Sequence, residues 1–319
     1  MKMLRCLLIL LLAAPASAIN NRAGTSGAAF LKLGAGSRAA GMAESYSAVA
    51  RDVTAIYYNP AALTRLTRSE LAAAHAEHFQ DIAYEFGAFA YPMGIEEDHS
   101  KHVFAMAIYN LSVPDIERRT EDTDNPTGTF DAGDYAYALS YARRLTSRLS
   151  LGVNGKYIHQ SIDTFQADAF ALDGGLLYTP YPKSKRPMHF AAVVKNVGTK
   201  VKFAGITDPL PTGVTLGWGM AIRPMWLLNI DLTKYNDSDA FFAFGTEYRK
   251  AMSEVLIGAL RAGFTTHRRD NPGFNELTLG AGAEFHRAGF DFAWVPFGSL
   301  GNTFRFSMII KFKGRNTAP

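Results

Sequence analysis

The sequence predicts an all-β protein, a transmembrane antiparallel β-barrel of about fourteen strands with an N-terminal hatch inside it. Three observations carry this reading. The chain opens on a cleavable leader. From about residue 69 its hydrophobicity has period two, over segments of about 10 to 14 residues where sandwich strands average about 5 to 6. Beyond the leader, no stretch offers the roughly 18 consecutive apolar residues that a helical span needs. The mean hydropathy of -0.04 fits a barrel, whose alternation of apolar and polar residues keeps the average near zero.

The leader comes first. Lys2 and Arg5 form a positive n-region, Leu7 to Ala14 an apolar core too short to span a bilayer, and Ala16-Ser17-Ala18 a small-residue cleavage site. Residues 1–18 therefore read as a secretory signal peptide. Cys6, the only cysteine, leaves with it, so the mature chain has no disulfide, thiolate metal site or cysteine nucleophile. The 33 basic and 29 acidic residues give +4, and +2 once Lys2 and Arg5 are removed. Basic pairs such as Arg118-Arg119, Arg143-Arg144 and Arg268-Arg269 are scattered, with no aromatic-rich basic face, so nucleic acid is not a partner.

Residues 19–68 differ from the rest. They are rich in Gly and Ala, carry no long alternation and show one helical patch near Pro60 to Leu63, which Asn59 is placed to cap. Fifty residues without a core of their own are expected to fold inside the barrel as a plug.

The barrel is read at 69–313, ahead of a tail at 314–319. Its candidate strands are 69–80, 82–92, 101–113, 133–145, 148–162, 166–179 and 187–198, then 212–223, 225–235, 241–250, 254–265, 275–286, 288–297 and 301–313. Tyr135, Tyr137, Leu139 and Tyr141 oppose Ala136, Ala138, Ser140 and Ala142; Val214, Leu216, Trp218 and Met220 oppose Thr215, Gly217, Gly219 and Ala221. Each segment thus has a greasy wall for lipid and a small or polar wall for the lumen. Trp226, Tyr248, Tyr178 and Trp294 lie toward segment ends, as in the aromatic girdles of membrane barrels. The connections set the orientation. Short ones follow even-numbered strands (Thr146-Ser147, Pro224, Ala251 to Ser253, Arg287) and long ones odd-numbered strands (Pro114 to Ala132, Gly198 to Pro211, Thr266 to Phe274). Gly94 to Ser100 and Tyr181 to Arg186 run longer and the Gln80-Asp81 hairpin is tighter than this phase expects, but it fits better than its inverse. Short turns belong to the periplasmic side, so both mature termini are expected there. The last strand presents Phe304, Phe306 and Phe312 on one face, the aromatic terminal strand that serves as a signal for the barrel-insertion machinery.

No motif points to catalysis. Gly34 to Gly41 superficially matches a dinucleotide loop, but no apolar strand precedes it and the third glycine is misplaced. His75 with His78 and His99 with His102 lack a carboxylate at metal-site spacing. Glu121 to Asp124 lacks the glycine and final glutamate of a calcium loop, and no Ser elbow occurs. The chain is therefore read as non-enzymatic, with no cofactor and no metal.

Two stretches resemble a known family. Phe30-Leu31-Lys32-Leu33-Gly34-Ala35-Gly36-Ser37-Arg38-Ala39-Ala40-Gly41-Met42, running on through Ala50 to Leu63, and the terminal Leu300 to Ser307 are similar to the PorV/PorQ family of outer-membrane proteins, within the wider FadL-type fatty-acid transporter fold. The resemblance covers essentially the mature chain. It implies that Asn59-Pro60-Ala61, with Gly34, Gly36, Arg38 and Gly41, belongs to a hatch plugging a fourteen-stranded barrel in the bacterial outer membrane. PorV-type members are associated with type IX secretion, where they hold exported proteins at the outer membrane. FadL-type members pass hydrophobic small molecules through a kinked wall. The motifs are closer to PorV/PorQ, which implies a secretion accessory with exported proteins or secretion components as partners beside outer-membrane lipids. Hydrophobic uptake is the alternative, and a purely structural barrel a third.

The loop phase makes a topological prediction. Because the mature chain lacks cysteine, a Thr123→Cys variant is expected to react with a membrane-impermeant maleimide on intact cells. Labelling only after the outer membrane is broken would invert the topology.

Overall fold

The computed structural model describes residues 24–313 except 97, 120, 121, 123, 204, 224 and 269–274. The predicted signal peptide, the 314–319 tail, the Pro224 turn, and parts of the 121–124 stretch and the 266–274 loop lie outside the described residues. The strands are β1 Glu70–Glu77, β2 Ala83–Glu96, β3 His99–Arg118, β4 Gly128–Arg144, β5 Leu149–Ile162, β6 Phe165–Tyr178 and β7 Met188–Gly198. They continue with β8 Val201–Phe203, β9 Ile206–Asp208, β10 Gly213–Arg223, β11 Trp226–Tyr235, β12 Phe241–Ala251, β13 Leu256–Thr265, β14 Leu277–Phe285, β15 Ala288–Pro296 and β16 Asn302–Lys311. β8 and β9 form a separate two-stranded hairpin; the other fourteen close into one antiparallel barrel.

Closure is made by β1 and β16, paired from Glu70↔Lys311 to Glu77↔Phe304. No strand is left with an open edge in the ring, which satisfies the backbone where water is absent. Alternation assigns the faces. Leu139 (69% exposed) and Leu216 (53%) point outward, while Ala138 and Thr278 are buried toward the lumen. Outward-facing Trp226, Tyr248 and Tyr178 stand at the short-turn ends of their strands, and Trp294 near the long-loop end.

Several boundaries differ from the sequence reading, and the physical reasons are local. The expected 82–92 strand runs on through Pro92 to Glu96, with Pro92 paired opposite Val103. The expected 101–113 strand spans His99–Arg118, and its partner begins at Gly128. Pro114 is accommodated by a bulge between Val113 and Ile116, where Asp115 takes φ 54, so the missing N–H falls at an interruption of the ladder. Beyond Ser112, β3 pairs only with β4, and from Phe130 outward β4 pairs only with β3, so the two project as a ribbon and the connection expected over 114–132 shrinks to 119–127. The first strand ends at Glu77, and Gln80 and Asp81, both near φ 57, close a tight turn. The connection after β7, read as a plain loop, holds the β8–β9 hairpin.

The chain's course separates its ends. Residues 26 and 27 are held at the long-loop mouth, where the Gly27 amide donates to the Pro209 carbonyl at 3.0 Å and the Ser26 hydroxyl to Asn236 at 3.2 Å. At the opposite mouth the Phe312 amide donates to the Ser69 carbonyl at 2.9 Å. The hatch crosses the lumen once, and an even number of strands then returns the chain to the mouth where β1 began. The expected common mouth of the mature termini concerns residues 19 and 319, which lie outside the described residues; within them, residues 26–27 and 312 stand at opposite mouths. A strand count gives the parity of the sheet, and the hatch adds one more crossing.

The two faces of β10 make opposite predictions. Leu216→Arg, facing lipid near mid-strand, is expected to cost about 2–4 kcal/mol in denaturant unfolding from vesicles. Gly217→Val should leave that transition intact but loosen the hatch, because any Cβ there overlaps the Ser47 hydroxyl. Equal effects of both on the barrel transition would reverse the faces.

Candidate functional site

The hatch is built of short turns: Ala29–Lys32, Ser37–Ala40, Ala55–Tyr58 and Pro60–Arg65. Small residues let it fold this tightly. A Cβ at Gly34 would overlap the Glu44 carboxylate, and Gly36 enters the Ser37 turn at φ 79. The Asn59 Oδ1 accepts the Ala61 amide at 3.1 Å, and Pro60 opens the last turn, where no donor is needed. The Asn59 Nδ2 donates to the carbonyls of Ser47 at 3.1 Å and Leu176 at 3.2 Å, tying the hatch both to itself and to β6.

The wall receives the hatch at a row of inward-facing glycines. A Cβ at Gly152 would overlap the Pro60–Ala61 backbone, and one at Gly175 the Asn59 side chain. Across the lumen, Gly219 would meet Val49 and Gly263 the Met42–Ala43 backbone, while a Cβ on Gly41 would stand 2.9 Å from the Gly280 Cα. At Gly152, Gly263 and Gly280 hatch backbone lies directly against barrel backbone, and at Gly175 and Gly219 a hatch side chain does. Where the wall is not glycine, it satisfies hatch N–H groups. Asp231 accepts from Tyr46 N at 2.9 Å and Ser47 N at 3.0 Å, Thr278 from Ala43 N at 3.0 Å, and Ser307 from Ser37 N at 3.0 Å.

Arg38 anchors the hatch electrostatically. Its guanidinium grips Glu247 bidentately, at 2.8 Å from Nε and 2.6 Å from Nη2, and donates from Nη1 to Asp52 at 3.1 Å. Arg261 donates to the same Glu247 at 2.7 Å and pairs with Asp291 at 2.8 Å. These groups are nearly inaccessible, so each charge depends on its partners. Arg38, Asp52, Arg261 and Asp291 border a 170 Å³ cavity on the short-turn side of the hatch.

On the other side lies a 510 Å³ vestibule opening toward the long-loop mouth. Tyr57, Tyr58, Glu44 and Ser47 of the hatch form its floor, and Lys195, Tyr235, Phe241 and Arg305 part of its wall. The lining is of mixed character. The Lys195 Nζ sits 4.0 Å above the Tyr57 ring centroid, a cation–π arrangement. Glu44 pairs with Arg305 at 2.8 Å and accepts from the Tyr58 hydroxyl. The vestibule's carboxylates thus serve as anchors: Glu44 holds Arg305 and Tyr58, and Asp231 holds hatch amides.

The structure brings Gly34, Gly36, Arg38, Gly41, Asn59, Pro60 and Ala61 together within the hatch and its seat. Phe304, Phe306 and Phe312 lie elsewhere, on the outer wall, where Phe304 and Phe306 flank Phe292 at 6.0 and 5.3 Å and Phe312 meets Phe89 at 6.3 Å. Glu247, Arg261, Asp291, Asp231, Glu44 and Lys195 were not singled out from the sequence. A signal for the strand residues existed. With Phe242, Phe244 and Tyr248 outward on β12, a charge at 247 has lumen parity.

A family model described as type IX secretion system protein PorV matches residues 16–223. No curated protein matches the chain. Among solved structures, the toluene transporter TbuX of Ralstonia pickettii aligns with a TM-score of 0.59 at 12% identity, over 88% of this chain and 99% of its own. The CymD monoaromatic hydrocarbon channel gives 0.61 at 10% identity, over 88% and 98%. A Pseudomonas aeruginosa FadL homologue gives 0.54 at 11%, over 88% and 99%. At such identities the likeness is one of fold.

Glu247 is the carboxylate that two buried cations share, and its loss leaves Arg38 only Asp52 and Arg261 only Asp291 among the described residues. Glu247→Gln is expected to weaken hatch docking by about 1–3 kcal/mol. Limited proteolysis should then cut the hatch while the barrel keeps its heat-modifiable gel mobility. A hatch as protected as wild type would show that the pair is dispensable.

Proposed function

The chain belongs to the PorV family, and from that premise we propose that this outer-membrane β-barrel is a non-enzymatic accessory of type IX-like protein export, acting at the cell surface. The observation that carries the reading is the seating of the hatch. Backbone-to-backbone contact at glycines and a buried Arg38–Glu247–Arg261 network hold it against several strands, consistent with a permanent seal. Function then falls to the long-loop mouth, with its charged vestibule, the β3–β4 ribbon and the β8–β9 hairpin, on which Ile206 is 69% exposed. Exported proteins and secretion components are the partners this reading requires. The signal peptide, the 19–68 hatch unit and the placement of short turns in the periplasm belong to the same proposal.

One observation favours a second reading, passive transport of hydrophobic molecules. Solved proteins of this fold are described as a toluene transporter and a monoaromatic hydrocarbon channel, and Tyr57, Tyr58, Phe241 and Phe297 give the vestibule apolar surface. Against it, Lys32, Glu44, Lys195, Asp231 and Arg305 line the same space, and an apolar solute would have to pass them.

Replacing residues 202–207 at the hairpin tip spares the hatch contacts at Val201 and Pro209. The replacement is expected to abolish copurification of exported proteins and leave uptake of a lipophilic fluorescent probe unchanged. No copurification with the wild type, together with probe uptake that responds to Asn59→Ala, would favour transport instead.

A further inference from the structure

We infer that the membrane-facing wall carries a site for an anionic phospholipid of the leaflet at the short-turn mouth, seated between Arg223 and Tyr248. The inference rests on the outer-membrane reading. It starts from a 490 Å³ groove on β10–β13, lined by Arg223, Trp226, Thr246, Tyr248, Leu260 and Ala262. Register makes these residues one patch. Arg223 pairs with Trp226, Trp226 with Tyr248, and Tyr248 with Leu260, while Ala262 sits opposite Thr246.

Each end of the groove has its own chemistry. A bulge between Ala221 and Arg223 shifts the β10 register, so that Arg223 joins the outward row that Trp226 and Tyr248 occupy. Its guanidinium is exposed, and among the described residues no carboxylate pairs with it. The Trp226 Nε1 donates to the Thr246 hydroxyl at 2.7 Å, which fixes the indole as one wall. Toward mid-membrane the floor falls to the small Ala262 beside Leu260, which is 66% exposed. A planar donor fork at a Trp/Tyr girdle, above an apolar channel, matches one kind of molecule: a phosphate bearing an acyl chain.

The surrounding charge selects the same ligand. Lys250 follows Tyr248 on the outward face, and the short-turn mouth exposes Arg148, Lys183, Lys185, Arg186 and Arg287 against Glu96, Asp98 and Glu254. The opposite mouth exposes Asp81, Asp115, Asp122, Asp124, Asp131 and Asp239, with Asp163 and Glu117 paired to Arg118 and Arg119, against Lys200, Lys202 and Lys234. An anionic headgroup is therefore favoured at the short-turn rim, where bases outnumber acids, over the more acidic opposite rim.

The full mature chain is reconstituted in nanodiscs of phosphatidylcholine containing phosphatidylglycerol, and bound lipid is counted by native mass spectrometry. The wild type is expected to retain phosphatidylglycerol preferentially. Arg223→Gln should lower that retention about fivefold, the effect of about one interfacial cation. Ala262→Trp, which fills the groove without changing charge, should lower it too, and Lys185→Gln should not. All variants are first checked for the heat-modifiable gel shift. Equal retention of both lipids by the wild type, or equal losses from Lys185→Gln and Arg223→Gln, would overturn the site while leaving the membrane reading intact. Failure of the wild type to enter nanodiscs would overturn both.

Discussion

Everything in this molecule depends on hatch backbone lying directly against barrel backbone. Pro60 and Ala61 rest on Gly152, Asn59 on Gly175, Met42 and Ala43 on Gly263, and Gly41 on Gly280. A single methyl group at Gly152, Gly175 or Gly263 occupies space the hatch already fills, and one at Gly280 presses on Gly41. A fourteen-stranded ring enclosing side chains alone would leave voids whose linings lack packing partners. Threading a segment rich in small residues through the lumen fills that space. It also explains why so many lumen-facing positions on the wall are Gly or Ala.

Close packing alone would not hold the hatch in one register, because small residues slide past one another. Directional contacts fix it. Asp231, Thr278 and Ser307 each receive hatch amides, and Arg38 inserts a guanidinium between Glu247 and Asp52. A buried ion pair contributes little net stability over an apolar pair, but it is costly to leave half made. The network therefore acts against alternative placements of the hatch more than it deepens the native one.

Because the hatch crosses the lumen once, it divides the interior into unlike halves. The 170 Å³ cavity on the short-turn side is bordered by the ion network, and the 510 Å³ vestibule on the long-loop side mixes tyrosines with charges. The outer rims differ as well, basic at the short turns and acidic at the long loops. A barrel with two chemically distinct ends suits a docking platform, and the proposed export role draws on that asymmetry.

The sequence by itself determined the barrel, its strand number and the orientation of each wall. Period two is a local property, set by alternate side chains pointing to opposite faces, so Leu216 and Thr278 could be placed from their neighbours alone. The Gly- and Ala-rich hatch with its Asn59-Pro60 turn was legible for the same reason, since capping and turn preferences act within a few residues. Prolines were over-read. Pro92 and Pro114 looked like strand ends, but one is carried within the ladder and the other sits at a bulge. What only the tertiary structure decided are the contacts between distant segments. Arg38 meets Glu247 across 209 residues and Gly41 meets Gly280 across the lumen, and alternation can place a charge on the inner wall without naming its partner. The hatch's single crossing, which puts residues 24 and 313 at opposite mouths, is likewise a property of the whole path, invisible to any pattern of period two.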